Sequence, residues 1–147
     1  LARLVSYKIV DPKFVSNFTY FLSKNLNKFD YEGEPVFVHT DFMTGHIFVE
    51  KIKDEYLITG IIDFEFANAL CPEYDFIKLH RQGFFDNLEL KKSLIEGYGN
   101  INEEAVKIHR LTRDMGFAWA MLECGNNELA EKTLIKIKEE LEKELSK

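Results

Sequence analysis

The sequence predicts an α+β fold, mainly helical, with a short β-hairpin set among about five helices. Three observations carry this reading. Apolar residues recur at helical spacing near both ends of the chain, two β-rich runs flank a tight polar turn at residues 53–55, and the strands precede a run of helices instead of alternating with them. Hydrophobic residues make up 46% and aromatic residues 14% of the 147, enough for a packed core and too much for a disordered chain.

The elements follow in order. Asp11-Pro12 reads as a helix cap followed by a proline in the first turn, and Phe14, Phe18, Phe21, Leu22 and Phe29 continue one amphipathic helix through Phe29. Glu32-Gly33-Glu34-Pro35 breaks it. Val36-Phe37-Val38 is a short apolar run after a proline and predicts a buried strand. Residues 39–46 are polar and aperiodic, hence a loop. Ile47-Phe48-Val49 and residues 56–62 form the hairpin, which ends at Asp63. Pro72 opens a helix to about His80, and residues 88–98 form another, closed by Gly99-Asn100. Asn102 starts a helix that stops at Gly125, and the last runs from Asn127 on the stripe Leu134, Ile137, Leu141 and Leu145. Trp119 and Phe117 read as core residues. With no linker or repeat, residues 1–147 read as a single domain.

Charge and cysteine content exclude several classes. A formal charge of −6 disfavours nucleic acid, whose phosphates call for a concentrated basic surface. No apolar run approaches the ~20 residues of a membrane span, and no signal peptide opens the chain. Cys71 and Cys124 lie far apart without metal-ligand spacing, which suits reduced thiols and a cytoplasmic location. The chain opens on Leu1, which is compatible with a piece of a longer protein.

Chemistry-bearing residues converge between positions 39 and 75. His39-Thr40-Asp41 follows a strand, with His46 five residues beyond Asp41; Asp63 stands at the exit of an apolar strand; Asp75 lies in the first turn of the next helix. Asp41, in a loop between strands, can point into a cleft. If strand pairing starts beyond the loop, Asp63 lies across the hairpin from His46, which brings a nitrogen ligand and a carboxylate together where a metal can sit. Phosphoryl transfer needs such parts: a carboxylate to orient an acceptor hydroxyl, and metal ions to neutralise nucleotide phosphates. A metal-dependent hydrolase built on His39, Asp41, His46 and Asp63 is an alternative that needs a tighter cluster. Taken singly, each residue also has a structural reading, as turn, core or helix-start group.

His39-Thr40-Asp41 through His46, then Ile61-Ile62-Asp63-Phe64 and Tyr74-Asp75-Phe76, resembles the signature of the aminoglycoside phosphotransferase family. The resemblance implies the C-terminal helical lobe of a protein-kinase-like fold, with the hairpin carrying the catalytic and metal residues. It implies that Asp41 is the catalytic base, that His46 and Asp63 hold Mg2+, and that His39 and Asp75 support the catalytic loop. Most of the family has Asn where His46 stands; His46 itself, Gly60-Ile61-Ile62-Asp63-Phe64 and Tyr98-Gly99-Asn100-Ile101 are similar to the aminoglycoside 2″-phosphotransferase group. Because magnesium prefers oxygen ligands, His46 either ligates directly, acts through water, or bonds a phosphate.

The implied activity is transfer of a γ-phosphoryl group from ATP or GTP to a hydroxyl of a small molecule, with an aminoglycoside, and hence antibiotic resistance, as the candidate substrate class. Glu65, Asp114 and Glu123 are candidates for binding a polycation. The chain shows neither a glycine-rich phosphate loop nor a strand lysine with a helix glutamate, so the N-terminal nucleotide lobe is expected elsewhere in the same protein and the chain alone is expected to be inactive. The alternative is a non-catalytic binding module derived from a kinase lobe.

Overall fold

The computed structural model describes residues 10–29 and 31–146. Among them, in chain order, are α1 (Pro12–Lys24), β1 (Val36–Val38), β2 (Ile47–Ile52), β3 (Glu55–Ile61), β4 (Asn68–Leu70), α2 (Glu73–Arg81), α3 (Leu88–Tyr98), α4 (Glu103–Glu123) and α5 (Asn127–Leu145). Helix dominates, and the strands form two separate antiparallel ribbons, β1 with β4 and β2 with β3. No helix of the described residues is long and apolar enough to cross a membrane.

The described residues divide into two compact units, residues 10–29 with 110–146, and residues 31–109, with α4 passing from one to the other. In the first unit the Asp11 carboxylate accepts from the Phe14 amide at 2.7 Å, which satisfies an otherwise unpaired N–H at the start of α1. Phe14, Phe18 and Phe21 share the buried face of that helix, and Ala130, Leu134, Ile137 and Leu141 form the buried face of α5, which packs on α1. The buried Arg110 guanidinium bonds Asp114 at 3.1 Å and also Glu140, so one cation ties α4 to α5.

Helix α1 ends sooner than its aromatic spacing predicts. Asn25 leaves helical geometry at φ −117°, ψ 12°, and a 3-10 turn at Leu26–Lys28 follows, so Phe29 lies outside the helix. Trp119 and Phe117, expected in the core, are each 39% exposed. Their neighbour Ala118 is fully buried, and adjacent positions on a helix point about 100° apart, so only one of the three can face straight inwards.

In the second unit Phe76, Leu79, Ile101 and Val106 form a core, with Phe42, Phe84, Phe85 and Leu94 packed around it. Asn87 caps α3 by accepting from the amides of Glu89 and Leu90, and Gly99 ends it at φ 102°, a left-handed geometry that costs glycine little. A 2.6 Å ion pair from Lys91 to Glu103 joins α3 to the start of α4.

The ribbons are less buried than apolar runs suggest. In β1 only Val38 is inside; Phe37 is 70% exposed and rests against Phe64 at 6.0 Å. Along β2 and β3 nearly every side chain is exposed. A two-stranded ribbon has two faces and too few neighbours to cover both, so apolar composition alone does not imply burial here.

Candidate active site

Register sets the site. Ile47 pairs with Ile61 and Phe48 with Gly60, but Val49 pairs with Ile58, so Thr59 is an extra residue in β3. That bulge advances the end of β3 by one position relative to β2. The Ile62 amide therefore donates to the His46 carbonyl at 3.1 Å, and Asp63 follows immediately. His46 Nε2 and Asp63 Oδ2 lie 3.4 Å apart.

The loop between β1 and β2 is held from several sides. His39 is buried, and its Nε2–H donates to the Ile62 carbonyl at 2.7 Å while Nδ1 accepts from the Asp41 amide at 3.3 Å. Its ring packs on Phe64 at 4.5 Å. Both ring nitrogens are thus engaged within the protein, so His39 is not placed to ligate a metal and the four-residue hydrolase arrangement is not formed. Thr40 has φ 61°, strained for a β-branched residue. Its amide donates to Asp75 Oδ1 at 2.8 Å and its hydroxyl to the Phe66 carbonyl at 2.9 Å. Burial raises the Asp75 carboxyl above the usual carboxylate range, against the opposing pull of the Thr40 and His39 amides.

Asp41 and His46 approach each other at the end of the loop. His46 Nδ1 lies 2.9 Å from the Asp41 carbonyl, an acceptor only, so Nδ1 carries the proton and the other nitrogen is turned towards Asp63. Asp41 Oδ2 is 3.8 Å from His46 Nδ1, and the Asp41 side chain is 20% exposed, neither sealed in nor fully open. One ligand atom from each of Asp41, His46 and Asp63 lies within 4.8 Å of the other two. Two ligands sharing one ion at ~2.0–2.6 Å from it lie less than about 5 Å apart, so this donor set fits a divalent cation. The bond from Nδ1 to a backbone carbonyl is the usual support for a metal-binding imidazole.

Two contacts were not anticipated from sequence. Lys78 Nζ lies 2.6 Å from Asp41 Oδ1. Gln82 accepts from the Thr44 amide at 3.3 Å and donates to the Thr44 hydroxyl at 3.1 Å. Asp75, Lys78 and Gln82 are spaced i, i+3, i+7, which places them along one side of α2 and its C-terminal cap. The spacing was readable, but nothing in it named the loop as the partner.

The substrate-binding candidates differ in burial. Asp114 is buried and bonded to Arg110, which gives it a packing role. Glu65 and Glu123 are exposed. Cys71 lies 3.6 Å from His109 Nε2, but burial, helped by Glu73, pushes its thiol up to about 11. Burial also lowers His109, so this pair lacks the thiolate that a nucleophile needs.

No curated protein and no solved structure gives a significant match to the chain. A family model described as the phosphotransferase enzyme family matches residues 11–119. That span takes in the whole loop, both ribbons and α2, so the chain belongs to the phosphotransferase enzyme family.

Proposed function

We propose that this chain is the C-terminal, catalytic lobe of a nucleotide-dependent kinase that transfers a γ-phosphoryl group from ATP or GTP to a hydroxyl of a small molecule. The observation that carries the reading is the convergence of Asp41, His46 and Asp63 at the ends of β2 and β3, inside the matched span. Asp41 orients the acceptor hydroxyl and takes its proton. His46 and Asp63 hold Mg2+, which when bound neutralises the nucleotide phosphates. His39 and Asp75 keep the loop in its strained shape from beneath. Aminoglycosides of the kind taken by 2″-phosphotransferases are the acceptor class we favour, on the resemblance at His46 and residues 60–64, and the cytoplasm is where we place the reaction.

The test is phosphoryl transfer by the full-length protein from ATP and GTP to kanamycin and glucosamine, with Asp41→Asn, His46→Ala and Asp63→Asn as variants. Transfer that disappears in Asp41→Asn supports the reading. Transfer that persists in it removes Asp41 from the chemistry.

A further inference from the structure

We propose that Lys78 is the positioning residue for Asp41, an inference that rests on the phosphotransferase reading and extends it to a residue outside the signature motifs. Helix α2 runs beside the loop and grips it at successive turns. Asp75 takes the Thr40 amide, Lys78 takes Asp41 Oδ1 at 2.6 Å, and Gln82 brackets Thr44. Three residues of helix advance about 4.5 Å, roughly the step from one loop residue to the next, so the Asp75 anchor brings Lys78 level with Asp41.

The contact divides the carboxylate. Oδ1 is bound by the ammonium, and Oδ2 remains on the side of His46 and the metal-binding group. A carboxylate held by one oxygen cannot rotate freely, which fixes where its second oxygen stands relative to His46. The ammonium also offsets the negative charge of Asp41, which lowers the repulsion between that carboxylate and an anionic phosphoryl group. At 27% side-chain exposure Lys78 is open enough for solvent and substrate to reach its neighbourhood. An exposed alanine-like surface role would need none of this geometry.

The experiment compares wild type, Asp41→Asn, Lys78→Met and Lys78→Arg in the full-length protein, with ATP or GTP and kanamycin or glucosamine. Lys78→Met is expected to lower kcat roughly 100-fold, the scale of a misplaced catalytic group, with both KM values within about threefold and Tm within about 3 °C. Lys78→Arg should recover most of the loss, because charge and reach are kept. A fall in Tm with parallel loss of kcat and substrate affinity would show a structural role instead and overturn the proposal.

If Asp41→Asn is inactive while Lys78→Met keeps wild-type kcat, the Lys78 proposal alone fails. If Asp41→Asn is as active as wild type, the functional reading fails and the proposal with it. Acylation of the chain by acetic anhydride, followed by peptide mass spectrometry, tests the contact without turnover. Lys78 should react several-fold more slowly than the exposed Lys92 and Lys132, and faster in Asp41→Asn. Equal rates at all three lysines in wild type would overturn it.

Discussion

Thr40 holds a left-handed backbone, φ 61°, between a buried histidine and Asp41. Strain of this kind costs about 1–3 kcal/mol and persists only where surroundings over-determine it. Here the surroundings are Asp75 on the amide and Phe66 on the hydroxyl. Asp75→Ala removes the acceptor and is expected to cost roughly 1–3 kcal/mol and to loosen the loop, read by denaturant unfolding and by amide exchange at Thr40. Asp75→Asn keeps an acceptor and isolates the charge. Because burial raises the Asp75 carboxyl in the folded chain, the folded state binds its proton more tightly than the unfolded state does. The contribution of Asp75 to stability is therefore full below the ordinary carboxylate range and falls as pH rises through the raised value. Wild type should lose stability relative to Asp75→Asn over that window in urea titrations; a flat difference would show that the amides cancel the burial. On the opposite side of the loop, Mn2+ binding followed by electron paramagnetic resonance should weaken roughly tenfold or more in Asp63→Asn and His46→Ala, independently of any substrate.

At the scale of elements, α2 does two things at once. Phe76, Ile77 and Leu79 are its buried face, while Asp75, Lys78 and Gln82 hold the loop. Phe76 meets Tyr98 edge-on at 4.7 Å and anchors the helix in the core. Phe76→Ala should cost about 3–5 kcal/mol in chemical unfolding and should also raise exchange at the Thr40 amide, since the helix carries the loop's acceptor. Much of this layout was readable in the sequence. The caps Asp11 and Asn102, the glycine stop at Gly99 and the hairpin turn are local signals, and local physics sets them. The placement of His46 beside Asp63 also followed from a hairpin that ends at both. What escaped notice depends on distant partners. Thr59 looks like any strand residue, although Gly60 after it hints at a bulge; Lys78 looks like a solvated helix lysine until Asp41 is brought beside it. Exposure of β2 and β3 could not be read from composition either, because it depends on what lies over the ribbon.

For the whole molecule the question is what else transfer requires. Positioning and charge neutralisation account for nearly all of phosphoryl-transfer catalysis, and under the proposed function Asp41 serves the acceptor side and His46 with Asp63 the metal side. The phosphates also need covering and a cation of their own. The eight glycines are scattered through the sequence instead of clustering in a phosphate-binding loop. The long ribbon of β2 and β3 meanwhile presents Phe48, Val49, Tyr56 and Ile58 to solvent, each more than half exposed. Exposed apolar surface on this scale marks a face that functions against something else, and a nucleotide lobe would both cover it and enclose the phosphates. The isolated 147-residue chain is therefore expected to bind Mn2+ yet show no nucleotide turnover. The same chain joined to a kinase-type nucleotide lobe should bind nucleotide tightly and turn it over with full dependence on Asp41. Paired assays of nucleotide turnover, each with Asp41→Asn as control, decide the matter. Robust turnover by the isolated chain that vanishes in Asp41→Asn would mean that residues 1–147 already hold the nucleotide, and the exposed ribbon would then be the first place to look for how.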